Sequence, residues 1–164
     1  MATQVQFRRG TTSQHGSFTG AVGEVTVDTD KDTVVVHDGS QAGGFAIPNL
    51  KTAQEFTKTQ NFNATTLSDA STIAWDASSN QVAKVTLGGN RTLGAATNQV
   101  DGAVYVLTVI QDGSGSRTLS FNSNYKFTGG SAPTLTTTAS ATDVIVFLSN
   151  GSNMLEIGRS LNVS

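Results

Sequence analysis

An all-β chain is predicted, on three observations. Charged residues make up only 13% of the sequence, too few for the solvated faces of several amphipathic helices. Ser, Thr, Asn and Gly dominate the polar remainder, a composition that favours short strands and turns. From Leu67 onward, turn signals recur at short intervals: Ser78-Ser79-Asn80, Gly88-Gly89-Asn90, Asp101-Gly102, Asp112-Gly113-Ser114-Gly115, Gly129-Gly130 and Asn150-Gly151.

These signals bracket expected strands at 72–75, 82–87, 103–110, 119–121, 144–148 and 154–157. Short strands at such spacing indicate an antiparallel β-sandwich, jelly-roll-like, over residues 67–164. The runs Val104–Ile110 and Val144–Leu148 are apolar at both parities. They are expected to be central strands covered on both faces.

Residues 1–48 read as a separate small module with strands at 5–8, 24–28, 33–37 and 45–47. Thr29-Asp30-Lys31-Asp32 suits a hairpin turn between the second and third of these. Val25, Val27, Val34 and Val36 alternate as in a half-buried hairpin, yet so small a module leaves apolar faces uncovered. Residues 49–66 then form the expected linker. Leu50, Ala53 and Phe56 would share a helical face there, but the threonines favour an extended connector.

Composition also excludes several function classes. A formal net charge of -2 gathers no phosphates, so nucleic acid is not an expected partner. Cysteine is absent, which removes disulfides, thiolate metal sites and thiol nucleophiles. No run approaches the ~20 apolar residues of a membrane span, and no signal peptide is evident at the N-terminus. A soluble chain made in a cytoplasm is expected, with no membrane insertion.

The candidates for chemistry are thin. His37 and Asp38 are neighbours on a strand and point to opposite faces, so they make no base and orienter. His37 is expected to be a half-exposed strand-end histidine. Glu24, Glu55 and Glu156 are isolated from one another, and Asp69, Asp76, Asp101, Asp112 and Asp143 fall mostly at strand ends or turns. No catalytic residue is expected, and no enzyme. Asp28-Thr29-Asp30-Lys31-Asp32 imitates the start of a calcium loop, but Thr33 and Gly39 stand where that loop needs glycine and glutamate. Asp112–Ser116 lacks the Lys-Ser/Thr of a phosphate loop and reads as a flexible hairpin tip. No metal or cofactor site is assigned. Trp75, Tyr105 and Tyr125 would make a sugar-stacking platform if exposed together, although Trp75 and Tyr105 lie within apolar strands and fit a core.

Two stretches carry resemblances. Gln6-Phe7-Arg8-Arg9-Gly10-Thr11-Thr12, then Gly23-Glu24 to Thr29-Asp30, then Val35-Val36-His37-Asp38-Gly39 resemble the N-terminal module of phage fibre proteins of the major-tropism-determinant type. The pieces Thr72–Asp76, Leu87–Leu93, Val109–Leu119 and Gly130–Leu135 are similar to a module common in phage and prophage structural proteins. Phe56-Thr57-Lys58-Thr59-Gln60-Asn61-Phe62 is similar to the extended joints of phage fibres.

The resemblance implies a bacteriophage virion protein whose first module is β-prism-like and forms a homotrimer. It places Arg8 and Arg9 near the attachment end, where they pair across subunits or with the particle; an ordinary solvated pair at a strand end is the other reading. The first expectation for function is a capsid decoration, cement or head-fibre protein at the virion surface, bound to the major capsid protein or to tail proteins. The shortness of the chain, with no shaft, supports that order. The alternative is a small tail-fibre protein recognising host surface glycan, with Asn122, Asn124 and Tyr125 as the local set able to contact a sugar.

Overall fold

The computed structural model describes residues 5–48, 58–79 and 81–163 of the chain. Residues 49–57 of the expected linker, and Asn80 of the first expected turn, lie outside them. The chain divides into two compact units, Met1–Gln60 and Asn61–Ser164.

Unit 1 holds β1 (Arg9–Gly10), α1 (Thr12–Gly16), β2 (Val25–Asp28), β3 (Thr33–Val36) and β4 (Phe45–Ala46). They form one sheet in the order β1-β2-β3-β4, with β1 parallel to β2 and the other pairs antiparallel. The first strand is four residues later than the expected 5–8, because it is set by pairing of Arg9 and Gly10 with Val27 and Asp28. The helix is not among the expected elements, yet Thr11 and Gln14 form a capping box: the Thr11 hydroxyl accepts from the Gln14 amide at 3.2 Å, and Gln14 Oε1 accepts from the Thr11 amide at 2.8 Å.

Cross-strand partners put Val25, Val27, Val34, Val36 and Phe45 on one face of this sheet, together with Arg9. The alternate positions Thr26, Asp28, Thr33, Val35 and His37 are the buried ones. α1 and Phe18 lie on that second, mostly polar face, since His15 reaches Thr26 and Phe18 meets His37 edge-on. The valine alternation is real, but the chain itself covers the other side.

Unit 2 contains β5 (Thr65–Thr66), β6 (Thr72–Ile73), β7 (Val82–Leu87), β8 (Arg91–Leu93), β9 (Val104–Gln111), β10 (Leu119–Phe121), β11 (Tyr125–Lys126), a 3-10 turn at Thr128–Gly130, β12 (Thr142–Ser149) and β13 (Met154–Val163). Thr65–Thr66, expected as linker, therefore belongs to a sheet. One sheet has six strands in the order β11-β13-β12-β9-β7-β5, and the other has three, β10-β8-β6.

Two sheets enclose one core, as expected, but only β9–β12 and β12–β13 pair antiparallel. From β5 to β10 the chain crosses from one sheet to the other at every step, so each strand lies parallel to the strand two places earlier. Segments expected as hairpin tips are therefore crossings between sheets. The Asp69 carboxylate helps fix one of them, accepting from the Gly88 amide at 3.2 Å and from Arg91 Nε and Nη2 at 2.7 Å each. A Cβ on Gly88 would come within 2.9 Å of Asp69 Oδ2, which accounts for glycine there.

Ile73, Trp75, Leu87, Leu93, Tyr105, Leu107, Ile145, Phe147 and Met154 are at most 1% exposed and form one continuous core. Burying each such side chain contributes roughly 1.5–3 kcal/mol. Trp75 and Tyr105 meet edge-to-face at 6.0 Å, in keeping with their placement in apolar runs.

The outer face of the six-stranded sheet differs from expectation. Register places four rows of outward side chains across β13, β12, β9 and β7: Leu155–Leu148–Val104, Gly158–Val146–Val106–Val82, Ser160–Val144–Thr108–Lys84, and Val163–Thr142–Ile110–Thr86. Central strands β9 and β12 are sealed on the inner side, where Tyr105, Leu107, Val109, Ile145 and Phe147 are buried. Their outward residues are only half-buried or, at Val104, 41% exposed. The second cover expected over them is not supplied by the strands of unit 2.

Candidate functional site

The centre of unit 1 is a chain of hydrogen bonds. Thr26 Oγ1 lies 2.9 Å from both His15 Nε2 and His37 Nε2. The Gly20 amide can only donate, and it approaches His37 Nδ1 at 3.4 Å, which assigns the His37 proton to Nε2. Thr26 then accepts from His37 and donates to His15, whose Nδ1 donates to the Thr11 carbonyl at 3.0 Å. His37 is 2% exposed and His15 6%. The expected half-exposed histidine is thus a buried one, because its strand position faces α1 rather than solvent. Gly20 permits this: a Cβ there would sit 2.5 Å from the His37 ring.

Arg8 and Arg9 are separated in role. Arg8 pairs with Glu24 at 2.9 Å and stacks over Phe18 at 4.9 Å, so it serves unit 1 internally. Arg9 has no hydrogen-bond or ion-pair partner among the described residues and shares the open face with Val27. A cleft of about 360 Å³ lies beside this corner, with Arg8, Gln14, His15 and Phe18 among its walls. The open face continues through Val34, Val36 and Phe45, which are 38%, 36% and 51% exposed. An aliphatic sheet face bearing one free cation is suited to docking against protein.

The three residues read as a sugar-contacting set do not share one exposed surface. Tyr125 is 4% exposed, and its ring packs on Phe121 at 5.8 Å and Phe147 at 5.4 Å. Burial pushes its phenol well above the usual tyrosine range. Strand β11 turns the ring inward, so it offers no stacking surface. Asn122 is exposed, and its Oδ1 accepts from the Asn124 amide at 3.1 Å, while Asn124 Oδ1 is buried. Of this set only Asn122 is fully exposed, at a tip it shares with the exposed Ser123.

The carboxylates have local tasks. Asp28 is buried; it accepts from the Thr12 hydroxyl at 2.7 Å and from the Asp30 and Lys31 amides at 3.0 and 3.2 Å, closing the expected β2–β3 turn. Among the described residues there is no group of three or more His, Asp or Glu side chains arranged to hold a metal. Asp112 is not at a flexible tip: it accepts from the Ser114 and Gly115 amides at 3.0 and 2.8 Å and pairs with Arg117 at 2.8 Å. Bonding to Arg117 holds the Asp112 carboxyl below its ordinary value.

This chain belongs to the family of putative phage tail fibre C-terminal domains, whose pattern it matches over residues 48–154. Residues 5–41 match a second family, the major tropism determinant N-terminal domain. The chain is 53% identical over 75 residues to the tail fiber receptor-binding protein of Bordetella phage BPP-1, spanning 39% of this chain and 20% of that protein. Among solved structures, the major tropism determinant I1 variant is 69% identical over 27% of this chain and 12% of its own, at a TM-score of 0.27. The U1 variant is 27% identical, covering 93% of this chain and 31% of its own, at a TM-score of 0.31. The chain thus spans a fifth of the curated relative it matches. The phage-fibre resemblance read from the sequence is thereby shown. The findings favour the tail-fibre alternative over the capsid decoration expected first.

Proposed function

We propose that this chain is a non-enzymatic tail-fibre protein that attaches to the virion through unit 1 and contributes unit 2 to host recognition. What carries this reading is the presence in one chain of the tail-fibre pattern over 48–154 and the tropism-determinant pattern over 5–41. Unit 1 would act as a homotrimer, and its open valine face, at the size of a single sheet, supports that assignment: association removes the aliphatic surface from water at roughly 25 cal/mol per Å². Arg9 would pair with an acidic group of a neighbouring copy or of a tail protein. Multivalent attachment then raises retention on the particle without a tight single contact.

Host-surface glycan is the receptor class proposed for unit 2. A contact at the Asn122–Ser123 tip would run through amide and hydroxyl hydrogen bonds, since Tyr125 is turned inward. Gold-labelled antibodies raised against the chain test the placement on purified particles. Label confined to tails supports it. Label spread over the capsid lattice would return the assignment to decoration, and unlabelled particles would remove it from the virion.

A further inference from the structure

The cleft of unit 1 is left with hydrogen-bond donors to spare. It opens beside β1, the edge strand of its sheet, where Arg8 and Arg9 both border it although they point to opposite faces. The polar side-chain atoms of His15 and Thr26 in its wall are spent on one another, on Thr11 and on His37. Gln14 Oε1 accepts from the Thr11 amide, and the hydrogens on Gln14 Nε2 have no partner among the described residues. Arg8 commits Nη1 to Glu24 and retains its other donors, and Arg9 retains all of its own. Ser17, which donates to the Gln14 carbonyl, contributes a spare side-chain acceptor. Donors and positive charge therefore dominate what the walls leave open.

Size and lining narrow the ligand further. Phe18 supplies an apolar wall, held by Arg8 stacked at 4.9 Å and by edge-on contact with His37 at 5.2 Å. A volume of about 360 Å³ stands at the low end for ligand pockets. It has room for one acidic side chain and an apolar neighbour, and not for a length of glycan.

We infer that this cleft binds an aspartate or glutamate side chain on a segment of another virion protein; the inference rests on the attachment role proposed above for unit 1. A carboxylate set among guanidinium and amide donors makes the charge-assisted bonds that the walls leave open. A second copy of unit 1 has little to offer in its place. Among the carboxylates of its described residues, Glu24 holds Arg8 and the Ala21 amide. Asp28 and Asp30 hold Thr12, and Asp38 holds Ser40 and Gln41. Asp32 alone remains uncommitted, in the β2–β3 turn. The acid that completes the cleft is therefore assigned to a different protein.

The probe is a blocked tetrapeptide, Ala-Glu-Leu-Ala, titrated into the full-length protein and followed by NMR, with Ala-Gln-Leu-Ala as its neutral counterpart. Saturable shifts of the Arg9 Nε and Gln14 Nε2 hydrogens are expected with the glutamate peptide and not with the glutamine one. Arg9→Gln leaves every described contact of unit 1 in place and should weaken binding about tenfold. Ser17→Glu sets a carboxylate into the cleft from an exposed wall position and should exclude the peptide; thermal midpoints show that both variants are folded. Equal shifts with the two peptides overturn the inference, as does binding unchanged in folded R9Q and S17E. Inorganic phosphate saturating the same signals where the glutamate peptide fails also overturns it, and gives the cleft to a phosphoryl group. Peptide binding in a protein whose antibodies label only capsids would leave the cleft assigned and the tail placement fallen, and tail label without peptide binding would do the reverse.

Discussion

Thr26 Oγ1 accepts a hydrogen bond from His37 Nε2 at 2.9 Å in the middle of unit 1, where neither side chain is more than 2% exposed. The same hydroxyl then satisfies His15, so one side chain closes the donor–acceptor sequence of two buried rings. A polar core of this kind depends on completeness, since a buried group left without its partner costs the full desolvation. Thr26→Val keeps shape and strand propensity but strips both histidines of a partner, and should destabilise unit 1 by about 2–4 kcal/mol. Thr26→Ser should recover most of the loss. Urea denaturation of both variants measures the difference, and equal midpoints for wild type and T26V would refute it.

Tyr125 separates packing from recognition. Its hydroxyl is buried with no hydrogen-bond partner, so Tyr125→Phe should hold or raise stability, while Tyr125→Ala should cost about 3–5 kcal/mol by leaving a cavity. Host-cell binding by Y125F should equal wild type. Loss of binding in a stably folded Y125F would show that the phenol is used at the surface after all.

Asp69 links acid stability to a crossing between the two sheets. Its carboxyl is held below the ordinary aspartate value, chiefly by bonding to Arg91. A depressed carboxylate adds stability above its unfolded value, here 3.8, and loses it as pH falls through the folded value. The thermal midpoint of unit 2 should therefore be level near neutrality and drop below about pH 4. Asp69→Asn should be less stable at pH 7 and show a shallower acid decline. An unchanged slope in calorimetry across pH would remove Asp69 from the account.

Gly115 has φ +68, and a Cβ there would lie 2.5 Å from the Thr137 carbonyl oxygen. Both conformation and space oppose a side chain, so Gly115→Ala should cost at least about 2 kcal/mol. Gly113, whose Cβ would meet nothing within 4 Å, provides the matched control, and G113A should unfold with wild type. Equal loss in both would show that the strain argument is wrong.

Arg9 and Arg8 should respond oppositely to charge reversal. Arg9→Glu leaves every described contact of unit 1 intact, so its thermal midpoint should stay at the wild-type value while incorporation into particles falls severalfold. Arg8→Glu would face Glu24 across the 2.9 Å ion pair and lower stability itself. Wild-type incorporation of R9E would leave Arg9 a solvated cation.

Much of this architecture is legible because strands write themselves as period-two patterns bounded by turns. β7 at Val82–Leu87 and β10 at Leu119–Phe121 match the expected spans, and the doubly apolar Val104–Ile110 and Val144–Leu148 lie side by side in the sheet centre. Partnership is less legible. Gly88-Gly89-Asn90 signals a turn equally well for a hairpin or for a crossing to another sheet; what decides is Asp69, nineteen residues away from Gly88. The Thr11–Gln14 capping box is a readable helix signal, hidden here by the shortness of the helix it opens. The burial of His37 is not readable, because strand parity shows that two faces differ, and a covering helix decides which of them is inside. The separate roles of Arg8 and Arg9 follow from the same parity: neighbours on a chain point to opposite sides.

The alternate crossing of β5 to β10 between two sheets also sets an order of events for a chain made from its N-terminus. β9 lies between β7 and β12, so a growing chain leaves one long edge of β9 bare until β12 has been synthesised. The β12–β13 hairpin, closed by Asn150 Oδ1 accepting from the Ser152 and Asn153 amides, is the local, fast-forming piece of unit 2, and it comes last. Until then the earlier coils present an open parallel edge, the kind of surface on which nascent chains of neighbouring ribosomes entangle. Productive folding of this protein is therefore a race between completing the final strands and meeting another unfinished copy.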